Sequence, residues 1–401
     1  MHQALHRALE IGVARIAPGL INVASFLLLA DTLELGDYGI FSTSIATAGL
    51  IVSLVYGPIK FSILPLHAEY AAQGDQKGFE TSLLGLALLV SLVLICVAAI
   101  GFLLDDNLGW LVVIVISMGM ASSLQPALHA RGQFWRYGTV DLTQATIWIA
   151  LVLTWVAEVP AVSTALMAYA ASLAISFMVA WLLVGRNLPT LPKLQSLKKI
   201  FAVGVPFTAG NMAENVIFLG FRYLLLLFGN ANLLGTFSLC VDLAQRTVGV
   251  VINLFSFTIL PRAYKELLTL QPSVFFKTLG RAAIQSGVIA LGVMAGIIII
   301  SSVEWFAALQ PPVFSITAFA IISAATITNR LKKLLIDPIS VYKNRSGGIA
   351  IGYFIAGPLA LLSAAIALNF AAAEIFYLSY FLGYLLAAAI TTSYIRPLAA
   401  I

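Results

Sequence analysis

The sequence predicts an all-α integral membrane protein of about twelve transmembrane helices in two pseudo-symmetric six-helix bundles, and three observations carry that prediction. Of 401 residues, 61% are hydrophobic and only 10% are charged, a balance that excludes an ordinary soluble domain. The apolar stretches run unbroken for about twenty residues, the length of a bilayer-crossing helix, where a barrel strand would alternate over about ten. The second half of the chain also repeats short motifs of the first.

Candidate spans lie at 11–30, 39–64, 83–103, 110–128, 139–157, 162–184, 201–228, 236–260, 281–302, 313–329, 349–369 and 375–395. One alternate set of connections is acidic and holds no Lys or Arg: Asp31, Glu34 and Asp37, then Asp105 and Asp106, Glu158, Glu304 and Glu374. The other set is basic, from Arg7 and Lys77 through Arg131, Arg186, Lys199, Arg262, Arg281, Arg330, Lys332 and Lys333 to Arg396. Positive charge concentrates on the cytoplasmic side of membrane proteins, so both termini are expected to be cytoplasmic and the acidic loops external. The net charge of +5 follows from that topology and calls for no nucleic-acid partner.

The start, His2 to Arg15 followed by the apolar 16–30, has the charge order of a signal peptide. No clear cleavage site follows and further spans do, so it is expected to stay as the first span. Cys96 and Cys240 lie in apolar segments and offer no disulfide framework. The four histidines, His2, His6, His67 and His129, are scattered, so no metal site is expected.

The linker 188–199, with Pro189 and Pro192, divides an expected N-terminal bundle (1–187) from a C-terminal one (200–401). Leu35-Gly36-Asp37-Tyr38 opens span two, which closes on Ile63-Leu64-Pro65; Leu234-Gly235-Thr236-Phe237 opens span eight, which closes on Ile259-Leu260-Pro261. Pro126 precedes Arg131 by five residues, as Pro338 precedes Lys343. Six spans per half is an even number, so corresponding spans keep one orientation, a plan common among transporters with a site between repeats.

Charges inside the apolar runs mark that site, because hydrocarbon penalises each by roughly 2.5–3.5 kcal/mol. On span seven Asn211, Glu214, Asn215, Phe218 and Arg222 share one helical stripe; on span eight Ser238, Asp242, Gln245, Arg246, Gly249 and Asn253 do. Two readings stand open: the wall of a water-filled cavity, or an internal ion pair such as Asp242 with Arg246 that fastens helices. The extra Asn and Gln side chains on the same faces favour the cavity. Span one adds Arg15, Asn22 and Ser25, and span two adds Ser42, Ser53, Tyr56 and Lys60. Arg15 and Lys60 could instead snorkel to the interface. Four cations, Arg15, Lys60, Arg222 and Arg246, against Glu214 and Asp242 leave an excess of positive charge, which favours an anion such as phosphate. Glu214 and Asp242 are candidates to hold a coupling proton or Na⁺, or to neutralise the arginines. If Arg222 or Arg246 meets substrate, replacing it with Ala should abolish transport and leave folding near normal.

Gly292/Gly296 and Gly348/Gly352 have the spacing of close helix packing. No GxxxxGK[ST], HExxH or GxSxG motif is present, so neither ATP hydrolysis nor standard nucleophile chemistry is signalled. Asp105-Asp106 is read as a solvated loop in preference to a metal-binding pair.

The Leu-Gly-Asp-Tyr-Gly-Ile-Phe run (35–41), the Ile-Leu-Pro closures and the Gly-Val-Pro-Phe start of span seven (204–207) resemble the Wzx-like polysaccharide transport family of the multidrug/oligosaccharidyl-lipid/polysaccharide (MOP) exporter superfamily. The resemblance implies a MATE-like fold and a non-enzymatic flippase of the bacterial inner membrane. Its expected cargo is an undecaprenyl-pyrophosphate-linked oligosaccharide, and its expected partners are a polymerase and glycosyltransferases of the same pathway. It implies no cofactor beyond a possible coupling H⁺ or Na⁺. It also implies that Arg15, Lys60, Arg222 and Arg246 receive the pyrophosphate. The alternatives are a MATE-like small-molecule antiporter, which the positive excess disfavours, and a membrane glycosyltransferase, polymerase or ligase, for which no large external loop is found.

Overall fold

The computed structural model describes residues 2–185, 188–191, 193–269, 272–302, 314–342, 347–370 and 372–395. Among the described residues the chain is helical, with no strand. The helices are α1 (His2–Thr32), α2 (Leu35–Val55), α3 (Gly57–Ala72), α4 (Gln76–Leu104), α5 (Asp106–Ala130), α6 (Phe134–Leu151), α7 (Val162–Val184) and α8 (Leu194–Leu227). They continue with α9 (Ala231–Arg246), α10 (Val248–Thr269), α11 (Pro272–Ser301), α12 (Ile316–Leu331), α13 (Asp337–Tyr342), α14 (Gly347–Asn369) and α15 (Ala373–Ile395). Single π-helical turns extend α6 (Val152–Val156) and join α12 to α13 (Lys332–Ile336).

Among the described residues, nine segments are long and apolar enough to cross a membrane, and a shorter apolar helix covers Ile16–Thr32. The expected spans at 201–228 and 313–329 fall on α8 and α12. Spans two and eight are each interrupted. Gly57-Pro58 follows α2, and proline cannot donate the backbone bond that would carry the helix on; α3 restarts after Tyr56. Between α9 and α10, Thr247 takes φ −105° and ψ −86°, and its hydroxyl donates to the Leu243 carbonyl at 2.6 Å, competing with the regular ladder.

The acidic connection between α4 and α5 has a structural use. The Asp105 side chain accepts from the backbone N–H of Asn107 and Leu108, capping α5 and stabilising it by about 1 kcal/mol. Among the described residues no cluster of metal-ligating side chains forms.

The chain forms two compact units, one of residues 1–33 and 40–212, the other of 34–39 and 213–401. The linker expected at 188–199 lies in the first, where the Thr190 N–H donates to the Thr81 carbonyl and a side chain at Gly85 would overlap the Thr190 carbonyl. In that unit α4 packs on α5, α5 on α7 and α1 on α6. Its core includes fully buried Trp148, stacked on Phe41 at 5.8 Å and edge-on to Tyr169 at 5.1 Å. In the second unit α14 packs on α15, α12 on α15, and α9 on α12. Its core contains Phe221, Phe237, Phe376 and Tyr380, with centroids 5.1–6.1 Å apart.

The repeated Leu-Gly motifs meet inside the second unit. A Cβ on Gly39 would lie 2.8 Å from Leu234 Cγ and 2.9 Å from the Gly235 nitrogen, and one on Gly235 would overlap the Leu35 carbonyl. Only residues without a side chain let these two helix starts cross backbone on backbone. In the first unit Gly204, from the Gly-Val-Pro-Phe run, is similarly pressed on the Pro58 carbonyl. Of the two GxxxG pairs, Gly348 and Gly352 pack against Tyr394, Thr391 and Ala387 of α15, whereas Gly292 and Gly296 have nothing within 4 Å of an added Cβ.

Candidate functional site

Three buried charge clusters organise the polar interior. The first joins α8, α9 and the start of α2 within the second unit. Arg222 is fully buried; its Nη2 donates to Asp242 Oδ1 at 3.1 Å, and its guanidinium sits 4.6 Å from the Phe218 ring centre. The Tyr38 hydroxyl donates to the other Asp242 oxygen at 3.0 Å. Asp242 thus pairs with Arg222 across two helices, and this pair fastens them, the role the sequence left open for Asp242 with Arg246.

The second cluster, also in the second unit, surrounds Glu214, eight residues and about 12 Å along α8 from Arg222. Asn329 Nδ2 donates to Glu214 Oε1 at 2.7 Å, and Lys333 forms an ion pair with Glu214 Oε2. Tyr353 in turn donates its hydroxyl to Asn329 Oδ1 at 2.6 Å. Next to it, buried Lys332 pairs with Asp337 at 2.7 Å and lies 4.3 Å from the Tyr353 ring centre. The π turn at Lys332–Ile336 places both lysines on carboxylates, and such turns are frequent at functional sites.

The third cluster is in the first unit. Buried Glu80 accepts from Arg131 Nε at 2.9 Å and forms a second, shorter bond with Nη2, a two-pronged pair of the strong kind. His67 and Gln76 complete it, at 3.3 Å each from Glu80 Oε1.

The site residues expected from the sequence divide among several settings. Lys60 is exposed in the first turn of α3, 5.6 Å from the Phe61 ring centre. Arg246 is half-buried as the last residue of α9, with Gln245 beside it. Asn215 is half-buried on α8, and Asn253 is exposed on α10. Asn211 donates to Ser53 at 3.0 Å, and Asn22 donates to the Pro18 carbonyl of its own helix at 2.9 Å. Arg15 lies on α1, with its side chain outside the described residues. Glu214 and Asp242, the expected ion-coupling pair, stand in different clusters.

Sequence reasoning missed Asn329, Lys332, Asp337 and Tyr353. The basic run at 330–333 resembles a loop at the end of a short span, whereas the helix continues through the π turn to Tyr342. The usable signal was Asn329 on the face of an apolar helix.

The sequence matches the family model described as polysaccharide biosynthesis protein over residues 10–265. The chain belongs to the polysaccharide biosynthesis protein family. Its fold is MATE-like, as the solved structures it resembles show. No curated protein matches it in sequence. Among solved structures it is similar to the eukaryotic MATE transporter AtDTX14, at 19% identity and TM-score 0.64 over 98% of this chain and 95% of that one. An inward-facing multidrug resistance MATE family transporter of the MOP superfamily matches at 13% identity and TM-score 0.63, over 97% and 94%. A MOP superfamily transporter from Pyrococcus furiosus, described by the reverse polarity of its binding pocket, matches at 13% and 0.59, over 98% and 95%. These likenesses concern the fold.

Proposed function

We propose that this family member is a flippase carrying an undecaprenyl-pyrophosphate-linked oligosaccharide, such as an O-antigen, capsule or exopolysaccharide unit, from the cytoplasmic to the external leaflet of a bacterial inner membrane. The observation that carries the reading is the interruption of spans two and eight, corresponding members of the two repeats, with a cation at each: Lys60 just after one break and Arg246 just before the other. Broken spans in matching positions are the usual markers of a transporter's binding site, since they free backbone groups at membrane depth.

In this proposal Lys60, Arg246 and Arg15 contact the phosphates. Asn22, Asn211, Asn215, Gln245 and Asn253 bind sugar hydroxyls. Arg222 holds α8 and α9 in register behind them. The site is exposed to the two leaflets in turn by alternating access. The glycan head cannot enter hydrocarbon, while the prenyl tail never leaves it, so shielding the head is the whole task. Glu214, with Lys333 and Asn329 on it, is the proposed seat of coupling to H⁺ or Na⁺. Both termini are cytoplasmic, and the polymerase and glycosyltransferases of the pathway are the proposed partners.

Deleting the gene should cause lipid-linked oligosaccharide to accumulate in the cytoplasmic leaflet, measured by mass spectrometry, and Lys60→Ala with Arg246→Ala should fail to relieve it. Normal lipid-linked sugar levels in the deletion strain would overturn the proposal. Export of cationic dyes by proteoliposomes would replace it with the antiporter reading.

A further inference from the structure

Most described cations around the second unit's carboxylates are engaged: Arg222 with Asp242, Lys332 with Asp337, and Lys333 with Glu214. Arg330 differs. It is half-buried as the penultimate residue of α12, and it makes no hydrogen bond or ion pair with any described residue. The guanidinium end of its stem is placed by its neighbours on α10.

Its position adds a second fact. A Cβ on Gly249 would stand 3.8 Å from Arg330 Nε and 3.5 Å from the Ala244 carbonyl. Arg330 therefore lies across the first turn of α10, at the interruption of span eight beside which Arg246 ends α9. A guanidinium offers five N–H donors in a planar fork, and leaving them without acceptors inside a membrane protein is costly.

We propose that Arg330 is a substrate-contacting residue that donates its fork to the phosphate oxygens of the anionic cargo at the break in span eight. The inference rests on the flippase reading for the identity of that cargo, a lipid-linked pyrophosphate. Arginine suits the task because two parallel N–H groups match two phosphate oxygens. The ion pairs of Lys333 and Lys332 serve as positioning contacts, holding the π turn so that Arg330 faces the break.

The test uses the full chain in lipid nanodiscs, titrated with inorganic pyrophosphate, alongside proteoliposomes loaded with undecaprenyl-pyrophosphate-linked oligosaccharide. Arg330→Gln should weaken pyrophosphate binding about 10- to 100-fold, the range for one lost charge-assisted contact. Arg330→Lys should recover part of it, a point charge without the fork. Arg281→Gln, at an exposed position on α11, should bind as wild type. A merely structural Arg330 would lower the thermal midpoint of the ligand-free protein; here that midpoint should hold, and only the stabilisation by pyrophosphate should disappear.

Wild-type affinity in Arg330→Gln overturns the inference, as does absence of wild-type binding up to millimolar pyrophosphate. If wild type binds pyrophosphate through Arg330 but moves no lipid-linked sugar, the flippase reading fails and the anion site stands. If lipid-linked sugar moves at the wild-type rate in Arg330→Gln and binding is intact, Arg330 drops out and the flippase reading stands.

Discussion

Removing the Asp242 carboxylate should unfold the second unit's polar interior from within. Arg222 is 1% exposed at its side chain and Asp242 14%, so Asp242→Ala leaves a guanidinium charge where water does not reach. Breaking a buried pair in this one-sided way costs about 3–5 kcal/mol. Loss of the acceptor for the Tyr38 hydroxyl adds about 1 kcal/mol. Replacing both partners with apolar residues of similar size, Arg222→Met with Asp242→Leu, removes the stranded charge. That double change should sit within about 2 kcal/mol of wild type, the residue of the loss being the Arg222–Phe218 contact. Arg222→Ala alone should also destabilise, which replaces the expectation from sequence that it leaves folding near normal. The assay is unfolding of the purified chain in detergent, followed by helical circular dichroism for the two single variants and the double, read as a mutant cycle. An Asp242→Ala protein with the wild-type midpoint, or a double variant as unstable as the two singles summed, would show that the pair does not fasten the helices.

Other outcomes follow from the same geometry. Gly235→Val should lower the yield of folded protein, since the new side chain must push on the Leu35 backbone, an overpacking cost of about 1–3 kcal/mol; size-exclusion recovery measures it. Glu80→Ala should destabilise by about 3–5 kcal/mol, leaving Arg131 in a mostly buried site, whereas Glu69→Ala, removing an exposed partner of Lys199, should lower the melting midpoint far less. The Glu69–Lys199 pair also has a sign in pH. Lys199 beside it holds the Glu69 carboxyl below its ordinary range, and Glu69 raises the Lys199 ammonium. Their small contribution is therefore present at neutral pH, lost on acidification through the carboxylate's lowered pKa, and lost again in strong alkali. Comparing wild type with Glu69→Gln across pH should show the two curves merging at both extremes.

The fold was legible because its signals are long-range sums: twenty-residue apolar runs, alternating loop charge, and paired Leu-Gly and Ile-Leu-Pro motifs. The interruptions of spans two and eight were less so, since Gly57-Pro58 reads equally as a kink and Thr247 carries no breaker residue. At the site, helical periodicity put Glu214 and Arg222 on one stripe, and in the structure they serve separate clusters. A stripe fixes direction at each level of a helix but not which neighbour stands there. Asn22 shows the same limit, because its amide turned back to Pro18 on its own helix, a local option that composition does not reveal. Lys332 and Lys333 were assigned to a loop because a π turn leaves no mark in hydropathy.

The mutual contact of Gly39 and Gly235 ties two distant codons together. Each position is small because the other helix occupies the volume a side chain would need, so neither can drift alone. An alanine at either meets backbone of the other helix, so it would have to be answered by moving the two helix starts apart. Across related sequences the pair should therefore change in concert or stay fixed, and swapping either repeat's opening segment for one from a divergent relative should fail unless its counterpart is swapped too.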